Sequence, residues 1–327
     1  MATGYRALVV SMVFAAMANV WAAPAEQKPG DTEVMKWRDG KKAVFLLAFD
    51  DSCQSHVKNA IPELHKRGMV GTFYINPGNG PFKNERKAWE TELPKDPAVV
   101  YGNHTFSHVG ATNTVQLDTE LARCDAVIRA CYPERKQPCL ISFGQPGGVP
   151  WTVAAKDKEA ALAKYNLIDR PPFFGYPFHV KNAQDLCGLV DKAIAKGGMG
   201  HNDFHGVGGD WLVTPMDVFT ALLDKLDACR NEVWVTDHIT YHKYLTERGS
   251  ARVEVVQANG PKIRLRLSCQ SDPALYDTTL TLETCVPAAW KTCRITQGPV
   301  VAERPVKDGR VRYEALPGGA EIEVAGN

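Results

Sequence analysis

Asp50 and Asp51 end the apolar run Ala43-Val-Phe-Leu-Leu-Ala-Phe49, and His104 and His108 follow four residues apart in G-N-H-T-F-S-H. A strand that delivers two carboxylates to its C-terminal end, with a His-x-x-x-His pair, can hold one metal ion and keep a carboxylate in reserve. Catalytic zinc takes three protein ligands of imidazole nitrogen and carboxylate oxygen, leaving a position for water. One aspartate completes the set, and the other can act as base on water whose pKa the ion lowers. The pattern points to metal-assisted hydrolysis. Each part has a bland counterpart. An Asp pair at a strand end also serves as a helix N-cap, and His201/His205 and His238/His242 repeat the histidine spacing. On a helix such residues share a face, so spacing alone does not choose among the three pairs.

Context does. His104/His108 follows a strand-like segment and the turn Gly102-Asn103. His238/His242 falls on a terminal helix capped by Thr236 or Asp237 and reads as a packing pair. His201 and His205 lie in G-G-M-G-H-N-D-F-H-G-V-G-G-D-W, which reads as a ligand-side loop.

The elements that must position these residues alternate. Val44–Phe49 is a strand buried on both faces. A helix is expected over His56–Arg67, closed by Gly68, and a strand over Gly71–Gly78. Further strands are expected at 98–101, 139–143 and 233–236. Helices are expected near 117–131, 183–196 and 215–229, and through about Leu245. This is an α/β pattern with a parallel sheet or barrel, in which reactive groups gather at the C-terminal strand ends. From 248 to 327 alternating polar and apolar residues predict a small antiparallel β-domain.

Residues 1–22 read as a signal peptide, Arg6 preceding a short apolar stretch, with cleavage after Ala22 or Ala25. Residues 23–40 read as a linker and 41–247 as the catalytic domain. The expectation is a secreted or periplasmic protein without stable membrane insertion after cleavage. Cleavage would remove Arg6 from the 38 basic residues, level with the 37 acidic ones, which gives no electrostatic basis for nucleic-acid capture. Some of the nine cysteines are expected to pair in an exported chain.

In order and spacing the chain resembles the NodB-type polysaccharide deacetylases, carbohydrate esterase family four, over residues 43–246. The resemblance rests on Ala48-Phe49-Asp50-Asp51, Gly71-Thr72-Phe73-Tyr74, His104-Thr105-Phe106-Ser107-His108, Phe143-Gly144-Gln145-Pro146-Gly147-Gly148, and a late histidine, His205. It implies a distorted (β/α) barrel and removal of acetyl groups from a polysaccharide, most readily N-acetyl of amino sugars. It further implies Asp51, His104 and His108 as ligands to one divalent ion (Zn2+, with Co2+ or Ni2+ as alternatives), Asp50 as base and His205 as acid. The backbone N–H near Gly147, after Pro146, would face the oxyanion. The chain departs from the pattern at Ser52, where glycine is usual, and at Gly144, where many members carry an arginine; Arg170 is the candidate replacement. Asp169, Asp203 and Asp210 are candidate partners for His205, and Trp151 and Trp211 are candidates for stacking on sugar. The rival function is a carbohydrate-binding protein on a degenerate esterase scaffold. A glycosidase is disfavoured, because adjacent carboxylates cannot flank a glycosidic bond.

Overall fold

The computed structural model describes residues 28–326; the signal-peptide reading lies outside them. Seven parallel strands form a half-barrel: β2 (Ala43–Asp50), β3 (Gly71–Ile75), β4 (Val99–Asn103), β5 (Ile141–Phe143), β6 (Leu167–Asp169), β7 (Met199–Phe204) and β8 (Val233–Thr236). A short β1 (Thr32–Val34) precedes them. The order is β6-β5-β4-β3-β2-β7. β2 is forked: Ala43–Leu46 pair with β8, and Ala48–Asp50 pair with β3. The open side between β6 and β7 is bridged by the segment after β6, where Asp203 N–H donates to the Phe174 carbonyl at 2.9 Å.

All eight residues of β2 are buried, which explains its unbroken apolar run. Phe45, Leu47 and Phe49 pack under the helices in one core, and Phe49 stacks on Phe73 with ring centroids 4.5 Å apart. Val44 and Leu46 face the other way, into a second core shared with Trp37, Trp234, Tyr244 and the C-terminal domain. The period of two along a strand thus lets β2 serve both domains.

The C-terminal domain is all antiparallel, with β9 (Arg252–Gln257), β10 (Lys262–Ser268), β11 (Leu280–Cys285), β12 (Thr292–Gln297), β13 (Val300–Lys307), β14 (Arg310–Ala315) and β15 (Ile322–Gly326). The stretch read as a linker is not free of structure: β1 pairs with β11 and joins this sheet. Two further readings are corrected. Met199–Phe204 is a strand rather than a loop, because Gly200 lets it lie against Phe45, where a Cβ would come within 2.8 Å of the ring. No disulfide joins Cys53, Cys124, Cys131, Cys139, Cys187, Cys229, Cys269 or Cys293 among the described residues. Several of these thiols instead meet backbone carbonyls; Cys124 Sγ lies 3.3 Å from the Ile75 oxygen. No helix of the described residues is long and apolar enough to cross a membrane.

Glu247, on the helix His238–Ser250, is buried beside the start of the C-terminal domain and accepts from Thr278 N–H at 3.1 Å. Burial pushes its carboxyl up to about 7 from an ordinary 4.5, against the lowering pull of that N–H. The folded chain therefore holds a proton that the unfolded chain releases. Its contribution is fully present below about pH 4.5 and is lost as pH rises through about 7. Denaturant unfolding at pH 5 and pH 8 should show a loss on the order of 3 kcal/mol from this group. Glu247→Gln, which keeps the acceptor, should remove that component; an unchanged pH slope would contradict the assignment.

Candidate metal centre and cleft

Asp50 is the last residue of β2, and its alternation places it on the face opposite Phe49, inside the half-barrel. Asp51 then turns out of the strand with φ 74°. This left-handed step sends neighbouring carboxylates to different partners. Ser52 continues it at φ 51°, which explains why glycine is usual there; its Oγ compensates by accepting from Asn76 N–H at 3.2 Å.

His104 and His108 lie on a loop after β4, not on a helix. Thr105 (φ 61°) and His108 (φ 57°) are left-handed, and this turn, not an α-helical face, brings the rings to 5.1 Å. Such conformations cost on the order of 1 kcal/mol each and persist where the surroundings fix them. Here Asn103 Oδ1 accepts from Thr105 N–H at 2.9 Å. Glu120, on the helix Thr114–Cys131, accepts from Ser107 N–H at 2.8 Å and its hydroxyl at 2.7 Å. Glu120 is a residue that sequence reasoning passed over, being one of many helix glutamates.

His104 Nδ1 donates to the Gly144 carbonyl at 2.7 Å. A carbonyl only accepts, so Nδ1 carries a proton and Nε2 is the nitrogen left to face the cluster. His104 Nε2 stands 3.3 Å and His108 Nε2 3.2 Å from Asp51 Oδ1. One donor atom from each of the three residues lies within 4.8 Å of the others. Burial alone would raise the Asp51 carboxyl; hydrogen bonds from His104 and His108 hold it far below the usual range. His108 is raised, Asp51 outweighing burial. Two imidazole nitrogens and one carboxylate, converging with one ring's orientation fixed from behind, fit a divalent cation.

The second oxygen of Asp51 is taken by Trp211, whose indole N–H donates to Oδ2 at 3.0 Å. Trp211 thus anchors the carboxylate as well as lining the cleft. Asn76 Nδ2 donates to Oδ1 at 3.2 Å, another contact without a sequence signal.

Asp50 stays apart from this cluster. Arg170, at the end of β6, grips it with two parallel bonds, Nη1–Oδ1 at 2.6 Å and Nη2–Oδ2 at 2.7 Å. The guanidinium lies over the Tyr74 ring at 4.3 Å and 3.7 Å from Asp203. Burial would raise the Asp50 carboxyl, but Arg170 and then His104 keep it below its ordinary value. The absence of a side chain at 144 is what admits Arg170: a Cβ on Gly144 would stand 3.0 Å from Arg170 Cζ and 2.9 Å from Tyr74. Glycine at 144 thus leaves the room through which an arginine reaches Asp50 from β6.

His205 follows β7 with Nε2 3.6 Å from Asp51 Oδ2. Its backbone oxygen accepts from His56 Nε2 at 2.6 Å; burial drives His56 down to about 4, so that ring is neutral. None of the three expected carboxylates reaches His205 Nδ1, which is buried without a hydrogen-bond partner among the described residues. Asp169 pairs with Lys158 at 2.6 Å, Asp203 accepts from Phe174 N–H at 3.0 Å, and Asp210 from Ser55 N–H at 2.7 Å. His201 donates to the Pro172 carbonyl at 3.1 Å, and His238 Nδ1 meets Ser142 Oγ at 2.7 Å inside the half-barrel. Neither joins the cluster.

A cleft of about 560 Å³ opens over Asp50, Asp51, His108 and His205. Gly147 lines it, and a Cβ there would meet nothing within 4 Å, so its backbone is open to a ligand. Pro146 is buried instead, its carbonyl accepting from Trp151 Nε1 at 2.8 Å; that bond also holds Trp151 to the loop. Phe173, Phe178 and Leu212 add an apolar rim.

Among known proteins, the chain is 22% identical to a gellan lyase from a Bacillus species over 91% of its own length, and spans only 13% of that protein. Two solved structures are similar in fold. One is a restored-activity mutant of a family 4 carbohydrate esterase pseudoenzyme from Bacillus anthracis (14% identity, 60% of this chain and 66% of that one, TM-score 0.45). The other is the peptidoglycan deacetylase PdaC from Bacillus subtilis (13% identity, 62% and 90%, TM-score 0.43). The polysaccharide deacetylase family model matches residues 38–162, which hold Asp50, Asp51, His104, His108 and Gly147 and leave out Arg170 and His205. Over residues 38–162, and so over the first strands of this half-barrel, the chain matches a polysaccharide deacetylase domain.

Proposed function

We propose that this chain is an exported hydrolase that uses one divalent cation to remove acetyl groups from a polysaccharide, in the first place N-acetyl groups of amino sugars. The observation that carries the reading is the division of labour between adjacent carboxylates. Asp51 faces both imidazoles, while Asp50 is held by Arg170 outside that set. Asp51, His104 and His108 would hold the ion, Zn2+ suiting this donor set, with Co2+ or Ni2+ as alternatives. When bound, the ion would supply Lewis-acid chemistry at the acyl carbonyl and lower the pKa of water.

The chain's own residues do the rest. Asp50, ionised and fixed, takes the proton of the attacking water. His205 gives a proton to the departing amine or alcohol as the C–N or C–O bond breaks. Gly147 N–H would face the developing oxyanion, and the aromatic rim would pack against sugar. The gellan lyase relative supports a polysaccharide as substrate.

Acetate released from acetylated chitin, peptidoglycan, poly-N-acetylglucosamine and xylan tests this directly. Release that stops with chelator and returns with zinc is expected. Release indifferent to chelator would remove the ion from the account. Binding of these glycans with no release from any would favour the carbohydrate-binding alternative.

Trp211→Phe keeps a ring at the cleft and deletes the N–H that holds Asp51 Oδ2. Second-layer partners of this kind are worth about 10–100-fold in metal affinity. Calorimetric titration with zinc should show a weakening in that range; unchanged affinity would make Trp211 a cleft wall only.

A further inference from the structure

A second cleft, of about 240 Å³, lies in the C-terminal domain, where β13 and β14 part. Val306 and Lys307 pair with Val311 and Arg310, whereas Val300–Pro305 leave β14 and pair with β12. The gap is lined by Arg304, Pro305 and Lys307 of β13, Arg310 and Arg312 of β14, and Glu283 and Asp39. Four cations thus face two carboxylates in a chain whose overall balance is only +1.

The acids do not neutralise this cluster. Glu283 accepts from Arg312 at 2.6 Å and meets Arg310 at 3.4 Å, fixing two guanidinium groups in the wall. Arg312 Nη1 also donates to the Asp39 carbonyl at 3.1 Å. The Asp39 carboxylate is paired at 3.3 Å with Lys41, a residue that does not line the cleft. Among the described residues no carboxylate stands within 4 Å of the Arg304 or Lys307 head groups, and both residues are exposed. The walls are pre-set by Arg–Glu contacts; Arg304 Nη1 donates to the Glu303 carbonyl at 2.9 Å, and the charges of Arg304 and Lys307 remain to be met by an anion. Guanidinium and ammonium groups in this arrangement recognise carboxylate, and Pro305 offers an apolar surface to a sugar ring.

We propose that this cleft binds a carboxylated sugar unit of an acidic polysaccharide, as an anchoring site separate from the hydrolytic cleft. The choice of glycan over other polyanions rests on the deacetylase reading. Asp39 lies just before the N-terminal end of β2, whereas Asp50 and Asp51 lie at its other end. The site therefore holds polymer without feeding the reacting group.

Calorimetry on the full chain with polygalacturonate oligosaccharides, neutral chitin oligosaccharides and a duplex DNA of equal charge tests this. Binding to the uronate oligomers alone is expected. It should weaken with added salt and fall at least tenfold in R304A/K307A, while R304K/K307R retains most of it. Acetate release from a short acetylated oligosaccharide should be the same in all three proteins. Equal binding of DNA, equal binding of neutral oligomers, or indifference to R304A/K307A would each overturn the proposal. Absence of acetate release with uronate binding intact would count against the hydrolase reading alone and leave the anchoring site standing.

Discussion

Asp50→Asn should lower kcat by about 10²–10⁴-fold, the usual worth of a positioned general base, while zinc affinity stays within a few-fold of the parent. The expectation follows from geometry. The nearest donor of the Asp51 set, His104 Nε2, is 3.8 Å from Asp50 Oδ2, and both Asp50 oxygens are engaged by Arg170. An amide preserves size and loses only the charge and the capacity to accept a proton. Acetate release and calorimetric zinc titration on the same preparation separate the outcomes. Retained turnover would remove Asp50 as base. Lost zinc binding would make it a ligand.

Arg170→Met should be the most damaging change to the fold near the site. The Arg170 side chain is buried between Asp50 and Asp203, and its removal leaves two buried carboxylates facing each other without a cation. Breaking a buried pair from one side costs about 3–5 kcal/mol, readable as a lower denaturation midpoint. The variant that folds should also change its pH profile. With Arg170 present the Asp50 carboxyl sits below its ordinary value and stays ionised across the working range. Without it, burial dominates, the pKa rises, and activity should fall on the acidic side where the parent does not. A purely structural arginine would lower stability and leave the acid limb in place. Replacing Arg170 by Gly and adding Gly144→Arg in the same chain should restore part of the lost activity, because each position occupies the space the other vacates.

How far the sequence carried this site depended on the range of each interaction. β2 was legible because eight buried residues leave an unbroken apolar run, and the carboxylates at its end were legible with it. The histidine pair was legible as a pair, but not as a loop. Its closeness comes from positive φ at Thr105 and His108, held by Asn103 and Glu120, and neither residue type announces that geometry. Arg170 was visible as a candidate only through the gap at Gly144; its bidentate hold on Asp50 spans 120 residues and leaves no local pattern. The indole bond from Trp211 to Asp51 is hidden for the same reason.

Elsewhere, short or unusual strands were lost. β6 has three residues, β1 joins a sheet whose other strands begin more than two hundred residues later, and β7 carries the glycine that suggested a loop. The disulfide expectation came from the export reading and not from cysteine spacing, and the buried thiols of Cys53 and Cys124 meet backbone carbonyls instead.

Anomalous diffraction at the zinc edge from crystals grown with the metal would test the central claim most directly. The account predicts one strong peak about 2.0–2.2 Å from Asp51 Oδ1, His104 Nε2 and His108 Nε2, with Asp50 still paired to Arg170. A peak bound by Asp50, or one that leaves out either histidine, would contradict it.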